Sequence, residues 1–458
     1  MLNRLKQITL IAGDLVALLL GLFLALSERY LFSHGSPDTA LLWPMLQLFI
    51  GAVVVMFVAG LYDIGQNRNN RTFFQKIIIA GGSWIILGIL YFYLRPSIGV
   101  SPKTILILTA LNGFGILTLW RYLYNRFLST GILKINVAFT GVTTEILELI
   151  KLIETEPARG YQVIGFISAE SLPAQLNHYQ TAPTLKLLLQ KNNSQVPQII
   201  VTAPMLYKNV QLLKELYEQL FSQATVVTLA KFYEEIMGRI PPFTFSEGWF
   251  LNNLNEQQKK IYDRSRIIID SILAVIMAIF FGITFPFIYW AIRFTSPGPI
   301  FFRQARVGRN GTIFYIYKYR TMKALNADGS AETDGAKFAA KNDIRITAVG
   351  KFLRQTRLDE IPQFINIFKN EMAIVGPRPE RPEFVAELTR QMPFYSLRHL
   401  IKPGLTGWAQ VQNSYYSTLE ESLRKLEYDL FYIKNRAFWL DMAIILRTIN
   451  TVLGMRGR

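Results

Sequence analysis

The sequence predicts a membrane protein of mixed α and α/β class. It divides into a four-helix transmembrane bundle, a Rossmann-like α/β domain, and a mixed, mainly helical C-terminal domain with a re-entrant membrane helix. Three observations carry that reading. Long apolar runs recur near the N-terminus, strand-like and helix-like stretches alternate in the middle, and a fifth apolar run opens a basic C-terminal region.

Bulk composition narrows the function. The chain has 458 residues, of which 51% are hydrophobic, and a mean hydropathy of +0.23. That length holds about three domains, and that apolarity excludes disorder, which needs low hydrophobicity and high charge. The absence of cysteine excludes a disulfide framework, a thiolate nucleophile and any Cys-ligated metal. His34, His178 and His399 are the only histidines and lie far apart, so no histidine-built metal site is expected. A metal would take oxygen ligands, which points to Mg²⁺ or a similar hard cation. The excess of 49 Lys and Arg over 32 Asp and Glu gives +17. That charge suits nucleic acid, an anionic membrane surface or a phosphate-rich substrate.

The first domain, 1–130, holds four apolar runs: Ile8–Leu31, Leu41–Tyr62, Phe74–Leu94 and Thr104–Phe127. Each is long enough for a bilayer, which takes about 20 residues. Arg4 and Lys6 precede the first run, Arg68, Arg71 and Lys76 surround the second loop, and Arg121, Arg126 and Lys134 follow the fourth. By the positive-inside rule both ends of the bundle are cytoplasmic. The first run is too long for a cleavable signal peptide and three spans follow it. Asp14 lies within it, either as a functional intramembrane carboxylate or as one close to the interface.

In residues 133–235, β-rich runs at Ile135–Thr140, Tyr161–Ile167, Gln198–Thr202 and Thr225–Leu229 alternate with helical stretches. The helices are expected near Thr144–Glu156, Thr184–Lys191 and Lys208–Ser222. Alternation of this kind predicts a parallel Rossmann-like sheet. A dinucleotide fingerprint needs three glycines after the first strand, but the chain reads Gly141-Val142-Thr143-Thr144-Glu145-Ile146. With one glycine of three, the nucleotide site is degenerate and the domain reads as structural or regulatory. The stretch 236–260, with Pro241-Pro242 and polar Asn252–Lys260, reads as a linker.

The third domain, 261–458, opens with the apolar segment Ile267–Ile292. Arg264 and Arg266 precede it, and Arg293, Arg303, Arg306 and Arg309 follow it. A spanning helix should not be equally basic on both sides, and Pro286 removes one backbone hydrogen bond. A re-entrant helix over 267–292, kinked at Pro286, accounts for both facts; an ordinary kinked span is the alternative. From Tyr262 onward, 28 Lys and Arg face 17 Asp and Glu, a net +11. Beside a membrane segment each such cation is worth about 1 kcal/mol toward anionic lipid, which leaves nucleic acid as the weaker explanation.

Two motifs carry the chemistry. In Thr356-Arg357-Leu358-Asp359-Glu360-Ile361-Pro362-Gln363, proline is tolerated only in the first turn of a helix. Asp359 or Glu360 then lies at or just before that helix's N-terminus, where a carboxylate is held ionised. There Asp359 is either a plain helix cap or, beside Arg354 and Arg357, an ion that attacks phosphorus or holds Mg²⁺. In Gly376-Pro377-Arg378-Pro379-Glu380-Arg381-Pro382-Glu383, the prolines favour a polyproline-II segment with three residues per turn. Arg378 and Arg381 then face one way and suit a diphosphate, unless the loop is simply rigid with solvated arginines.

Residues 262–458 resemble the bacterial polyprenyl-phosphate hexose-1-phosphate transferases, the phosphoglycosyl transferases that start exopolysaccharide repeat units. The matching stretches are RSRIIIDSILA, FTSPGPIFFRQARVGRNG, YIYKYRTMK, LRQTRLDEIPQFINIFKNEMAIVGPRPERPEF, IKPGLTGWAQV and LRKLEYDLFYIKN. GPRPERPEF is similar to the subgroup found with exosortase-type export systems, and four N-terminal spans with a degenerate nucleotide fold match the large members.

The resemblance implies a function and a site. It makes Asp359 the nucleophile of an Asp-Glu dyad, Glu360 its partner, and both the neighbours of a Mg²⁺ on the nucleotide diphosphate. Lys318, Arg354 and Arg378 match positions that hold phosphates. The implied substrates are a UDP-sugar, with glucose before galactose, and undecaprenyl phosphate. The protein is then multi-pass in the bacterial inner membrane, with its catalytic domain on the cytoplasmic face, and it takes no nucleic acid. Oligomeric state stays open, a homodimer being one option. Phosphosugar would pass through an aspartyl intermediate with release of UMP. A glycosyltransferase would release UDP, and a membrane scaffold or regulator of polysaccharide export would release neither. Many relatives carry Ser-Pro at the helix kink, whereas here Phe285 precedes Pro286 and Thr284 is the nearby hydroxyl.

Overall fold

A computed structural model describes residues 2–31, 41–63, 69–95, 103–127, 134–168, 172–191, 196–204, 210–218, 224–254, 259–324, 343, 345–412 and 418–454. They form two compact units, Met1–Met237 and Gly238–Arg458.

In the first unit the apolar runs become helices α1 (Leu2–Leu31), α2 (Leu42–Val58), α3 (Arg71–Leu94) and α4 (Lys103–Leu123). The cores of α1, α3 and α4 are long and apolar enough to cross a membrane, over Lys6–Arg29, Arg71–Leu94 and Lys103–Phe127. The second run is shorter than the sequence suggested. Its helix has 17 residues, because Gly60 takes a left-handed φ of 71° and turns the chain after Val58. That is still at the lower end of spanning lengths. Helices α1 and α4 approach so closely that a Cβ on Gly21 would lie 2.3 Å from the Gly113 Cα. Asp14 faces this bundle's interior. Its Oδ2 accepts from Arg121 Nη2 at 2.6 Å and from Tyr62 Oη at 2.8 Å, while Arg121 Nη1 donates to the Leu61 carbonyl at 2.7 Å. The carboxylate is thus fully buried but paired, as a charge in that setting must be.

The same unit contains a five-stranded sheet of order β3-β2-β1-β4-β5, parallel throughout. Its strands are β1 (Ile135–Thr140), β2 (Tyr161–Ile167), β3 (Thr181–Ala182), β4 (Ile199–Thr202) and β5 (Thr225–Thr228). Four of them fall where β-branched runs placed them, while two-residue β3 is too short to leave a pattern. Helices α5 (Thr144–Thr155), α6 (Leu185–Lys191), α7 (Val210–Glu218) and α8 (Leu229–Met237) complete the fold. The expected ends of α7, at Lys208 and Ser222, lie outside the described residues. The turn after β1 has a single left-handed glycine, Gly141 at φ 79°, and Thr143 caps α5 by accepting from the Ile146 N–H.

The second unit begins inside the stretch read as a linker. There Ser246 caps α9 (Glu247–Asn253), and Ile240 and Phe250 are buried in this unit's core. Residues 255–258 of that stretch lie outside the described residues. Helix α10 (Lys260–Thr295) is one 36-residue element that runs through Pro286. Proline frees the carbonyl four residues earlier, that of Gly282, but the Thr284 hydroxyl donates to Phe280 O at 2.8 Å instead. One stripe of α10 packs on the unit: Ala274, Ile288 and Ile292 are buried, with Leu273, Met277, Phe281 and Phe285 partly so. The opposite side exposes Ile268, Ile272, Ile276, Ile279, Ile283, Phe287 and Phe294. Residues Tyr262–Thr295 are the fourth candidate membrane span among the described residues.

Beyond α10, strands β6 (Phe301–Val307) and β7 (Ile313–Tyr319) form an antiparallel hairpin. They are followed by α11 (Ala348–Gln355), a 3₁₀ turn at Leu358–Gln363, and α12 (Phe364–Phe368). Strand β8 (Ala373–Val375) pairs in parallel with β9 (Gly404–Thr406) across α13 (Pro382–Gln391). Helices α14 (Trp408–Gln412), α15 (Leu419–Asn435) and α16 (Phe438–Leu453) close the core around Leu426, Leu430, Ile433 and Ile444. Asp270 of α10 accepts from the Ile374 N–H at 3.1 Å, so the membrane helix is fastened to β8.

Candidate active site

Arg357, two residues past α11, takes the left-handed region at φ 57°, which costs a side-chain-bearing residue energy and turns the chain sharply. Asp359 and Glu360 follow in the first turn of the 3₁₀ segment, and Pro362 lies inside it as the fifth of its six residues. Both carboxylates are buried, at 8% and 6% exposure.

The two are treated differently. Glu360 Oε1 accepts from Lys318 Nζ at 2.7 Å and from Arg378 Nη2 at 2.9 Å, and Arg357 Nη1 lies 3.4 Å from Oε2. Burial opposes its ionisation, yet Lys318, Arg378 and Arg357 together hold Glu360 well below the usual carboxylate range. Asp359 moves the other way. Burial, and then the Glu360 charge, raise it to about 6, against the pull of Lys318, Arg357 and Arg354. The sequence placed Asp359 at a dipole end and expected a lowered pKa; burial beside a second carboxylate overrides that. Its Oδ1 is buried with no hydrogen-bond partner among the described residues.

Each partner comes from a separate element. Lys318 stands on β7, and burial lowers its pKa while Glu360 works against the shift. Asn366, fully buried, fixes that strand to the turn: its Nδ2 donates to Tyr315 O at 2.7 Å and its Oδ1 accepts from Tyr317 N at 3.2 Å. Arg378 sits on the loop after β8. That loop can approach β9 only because of glycines: a Cβ on Gly404 would lie 2.0 Å from Gly376 N, and one on Gly407 2.1 Å from Gly376 O.

The structure therefore brings Lys318, Asp359, Glu360 and Arg378 together. Arg354 is half-buried in the last turn of α11, near enough for its charge to act on Asp359, and pairs with no described carboxylate. Arg381 does not join Glu360. Pro382 starts α13, so Glu383 enters its first turn and meets Arg381 Nε at 3.3 Å, while Phe384 lies under the guanidinium. Pro286 lies on α10, whose Phe281 and Phe285 stack on Phe301, while Phe281 also stacks on Tyr319, the neighbour of Lys318. Among the described residues no three or more acidic or histidine side chains gather as a metal cage. Sequence reasoning took Arg306 only as a basic flank of the apolar segment and did not single out Arg398, Lys425 or Asp429. Arg398 and Asp429 form a buried pair at 2.8 Å, and Lys425 pairs with Glu380. Their separation along the chain leaves no local signal.

Residues 261–455 match the family model described as bacterial sugar transferase. An Aeromonas hydrophila protein named UDP-N-acetylgalactosamine-undecaprenyl-phosphate N-acetylgalactosaminephosphotransferase is 45% identical over 162 residues, 35% of this chain and 37% of that protein. A Xanthomonas campestris pv. campestris protein named UDP-glucose:undecaprenyl-phosphate glucose-1-phosphate transferase is 30% identical over 352 residues, covering 74% of this chain and 71% of its own length. A Klebsiella pneumoniae protein of the same name is 29% identical over 427 residues, 88% of each chain. The alignment thus spans little more than a third of the first of these relatives and most of the other two.

Proposed function

Because the chain belongs to the bacterial sugar transferase family, the group of the polyprenyl-phosphate hexose-1-phosphate transferases, we propose that it moves a hexose 1-phosphate from a UDP-sugar to undecaprenyl phosphate and releases UMP. Glucose 1-phosphate is the group favoured by the Xanthomonas and Klebsiella relatives. The 45% identity to the Aeromonas protein favours a second reading with the same chemistry, N-acetylgalactosamine 1-phosphate.

The observation that carries the mechanism is the unequal pair of carboxylates. Glu360 is neutralised by three cations, whereas Asp359 keeps a buried oxygen without a partner among the described residues. Asp359 is the nucleophile. Its oxygen bonds to the phosphorus bearing the sugar, and the bond from that phosphorus to the UMP oxygen breaks. An oxygen of undecaprenyl phosphate then bonds to the same phosphorus and the aspartate leaves. Two displacements replace one crowded encounter. A carboxylate with a pKa near 6 is ionised at neutral pH yet more basic than an ordinary aspartate. Lys318, Arg354 and Arg378 offset the charge that develops on the phosphoryl oxygens.

Magnesium fits this site by one test. The bare Asp359 Oδ1 is a hard oxygen donor, and Mg²⁺ ordinarily takes one or two carboxylates together with substrate phosphates. Glu360 has both oxygens facing cations, so Asp359 is the better placed of the two toward an ion on the diphosphate. When bound there, the ion neutralises phosphate charge.

The exposed apolar side of α10 faces lipid, and its packed side carries the catalytic domain along its length. Both halves of α10 pack on the same unit, the first through Ala274 and the second through Ile288 and Ile292, which supports the re-entrant reading with both ends cytoplasmic at the inner membrane. Undecaprenyl phosphate would then reach Asp359 from the bilayer, in the first membrane step of exopolysaccharide synthesis. The nucleotide released when membranes holding the protein receive UDP-sugar and undecaprenyl phosphate tests the reading. UMP supports it, UDP means a glycosyltransferase, and neither nucleotide means a scaffold. Parallel runs with UDP-glucose, UDP-galactose and UDP-N-acetylgalactosamine separate the sugars.

A further inference from the structure

The loop that carries Arg378 cannot brace itself. Pro377 and Pro379 have no N–H, and extended polyproline backbone makes no internal hydrogen bonds. Its carbonyls are nevertheless all taken, each by a donor from elsewhere. Pro377 O accepts from Gly404 N at 2.9 Å, Arg378 O from Arg398 Nη2 at 2.9 Å, Pro379 O from Arg306 Nη1 at 3.0 Å, and Glu380 O from Val307 N at 2.9 Å. Two of those donors are main-chain groups that any residue supplies. The other two are arginine side chains on different elements.

Arg398 is itself locked. Its side chain is 1% exposed, its Nη2 and Nε bond Asp429 Oδ2 at 2.8 and 3.2 Å, and its Nη1 bonds Tyr395 Oη at 2.8 Å. Arg306 also donates to Gln304 and lies 3.8 Å from Glu380, which Lys425 grips from α15. The central residue of this held segment is the one whose guanidinium reaches Glu360.

We propose that Arg306 and Arg398 are positioning residues: they hold the main chain on either side of Arg378 so that its fork stays aimed at Glu360 and the substrate's phosphates. The proposal rests on the hexose-1-phosphate transfer reading. A lysine at either place keeps the charge but has a single ammonium, which cannot serve the acid or amide partner and the loop carbonyl in the same planar geometry. A displacement of about 1 Å in a catalytic group costs on the order of 100-fold.

The test is a double-variant cycle on the full chain in membranes, read as UMP release from UDP-glucose with undecaprenyl phosphate. Arg398→Lys should slow release by roughly 10- to 100-fold, and Arg398→Lys combined with Arg378→Ala should be no slower than Arg378→Ala alone. Losses that multiply would show a general structural role and overturn the proposal, as would parental activity in Arg398→Lys. Arg306→Lys, at a partly exposed site, undergoes the same cycle and decides the matter if Arg398→Lys does not accumulate. Parental release by Arg378→Ala would instead remove Arg378 from the mechanism, and so separates failure of the underlying reading from failure of this one.

Discussion

Lys318 Nζ lies 2.7 Å from Glu360 Oε1, and this contact sets the roles of two adjacent carboxylates. With its charge answered, Glu360 stays ionised and raises Asp359 by repulsion, while Lys318 partly offsets that rise. The direction of two shifts follows. Glu360→Gln removes the repulsion and should move the acid limb of the pH–rate profile below its starting point near pH 6. Lys318→Met removes an attraction and should move it upward. Activity falls as pH drops through the Asp359 pKa because a protonated carboxyl does not attack phosphorus. Rates of UMP release between pH 4.5 and 8, at saturating and limiting UDP-sugar, read both shifts; an unmoved limb in both variants would assign the titration to another group.

Arg378→Lys preserves charge but loses the two-pronged geometry, so UMP release should fall by on the order of 10²–10³. Turnover measured in membranes with matched protein content checks this, and parental turnover would mean that charge alone is needed at that position.

Asn366 ties the Lys318 strand to the turn that holds the dyad. Asn366→Leu leaves the part-buried Tyr317 N–H and Tyr315 carbonyl without that partner, at a cost of about 1 kcal/mol for each hydrogen bond lost. The thermal midpoint of the detergent-solubilised protein should fall accordingly, and an unchanged midpoint would show that water replaces the amide.

For α10, reporters fused at Lys260 and just after Arg309 should both read cytoplasmic. Opposite readings would make the helix a span and remove the cytoplasmic active site. Pro286→Leu restores the missing N–H and should shift part of the population toward spanning.

Much of this was legible in the chain itself, for identifiable reasons. Apolar length marks α1, α3, α4 and α10, and runs such as Ile135–Thr140 mark central strands because both report burial directly. Asp359 and Glu360 stood out because a proline two residues later fixes where a turn begins. What escaped notice depends on distance through space. Nothing near Arg398 in sequence announces Asp429, 31 residues on, or the Arg378 carbonyl, 20 residues back. The rise in the Asp359 pKa was missed because a dipole can be read from local pattern, whereas burial beside Glu360 cannot. The separation of Arg381 from Arg378 has a similar origin. Arg381 still has extended backbone at φ −68° and ψ 144°, but α13 begins at the next residue and brings Glu383 to its guanidinium.

The most direct test of the mechanism is the mass of the protein after exposure to UDP-sugar and Mg²⁺ without lipid acceptor. Asp359 as nucleophile should leave a hexose phosphate on the peptide containing Leu358-Asp359-Glu360, and Asp359→Asn should lose both adduct and UMP release, because an amide forms no acyl phosphate. The structure makes Arg357, not Asp359, the residue that caps this turn, and no side chain caps it; asparagine has nearly the shape of aspartate, so a purely structural Asp359 would make that substitution nearly silent. A folded Asp359→Asn protein that releases UMP at the parental rate would contradict the covalent mechanism.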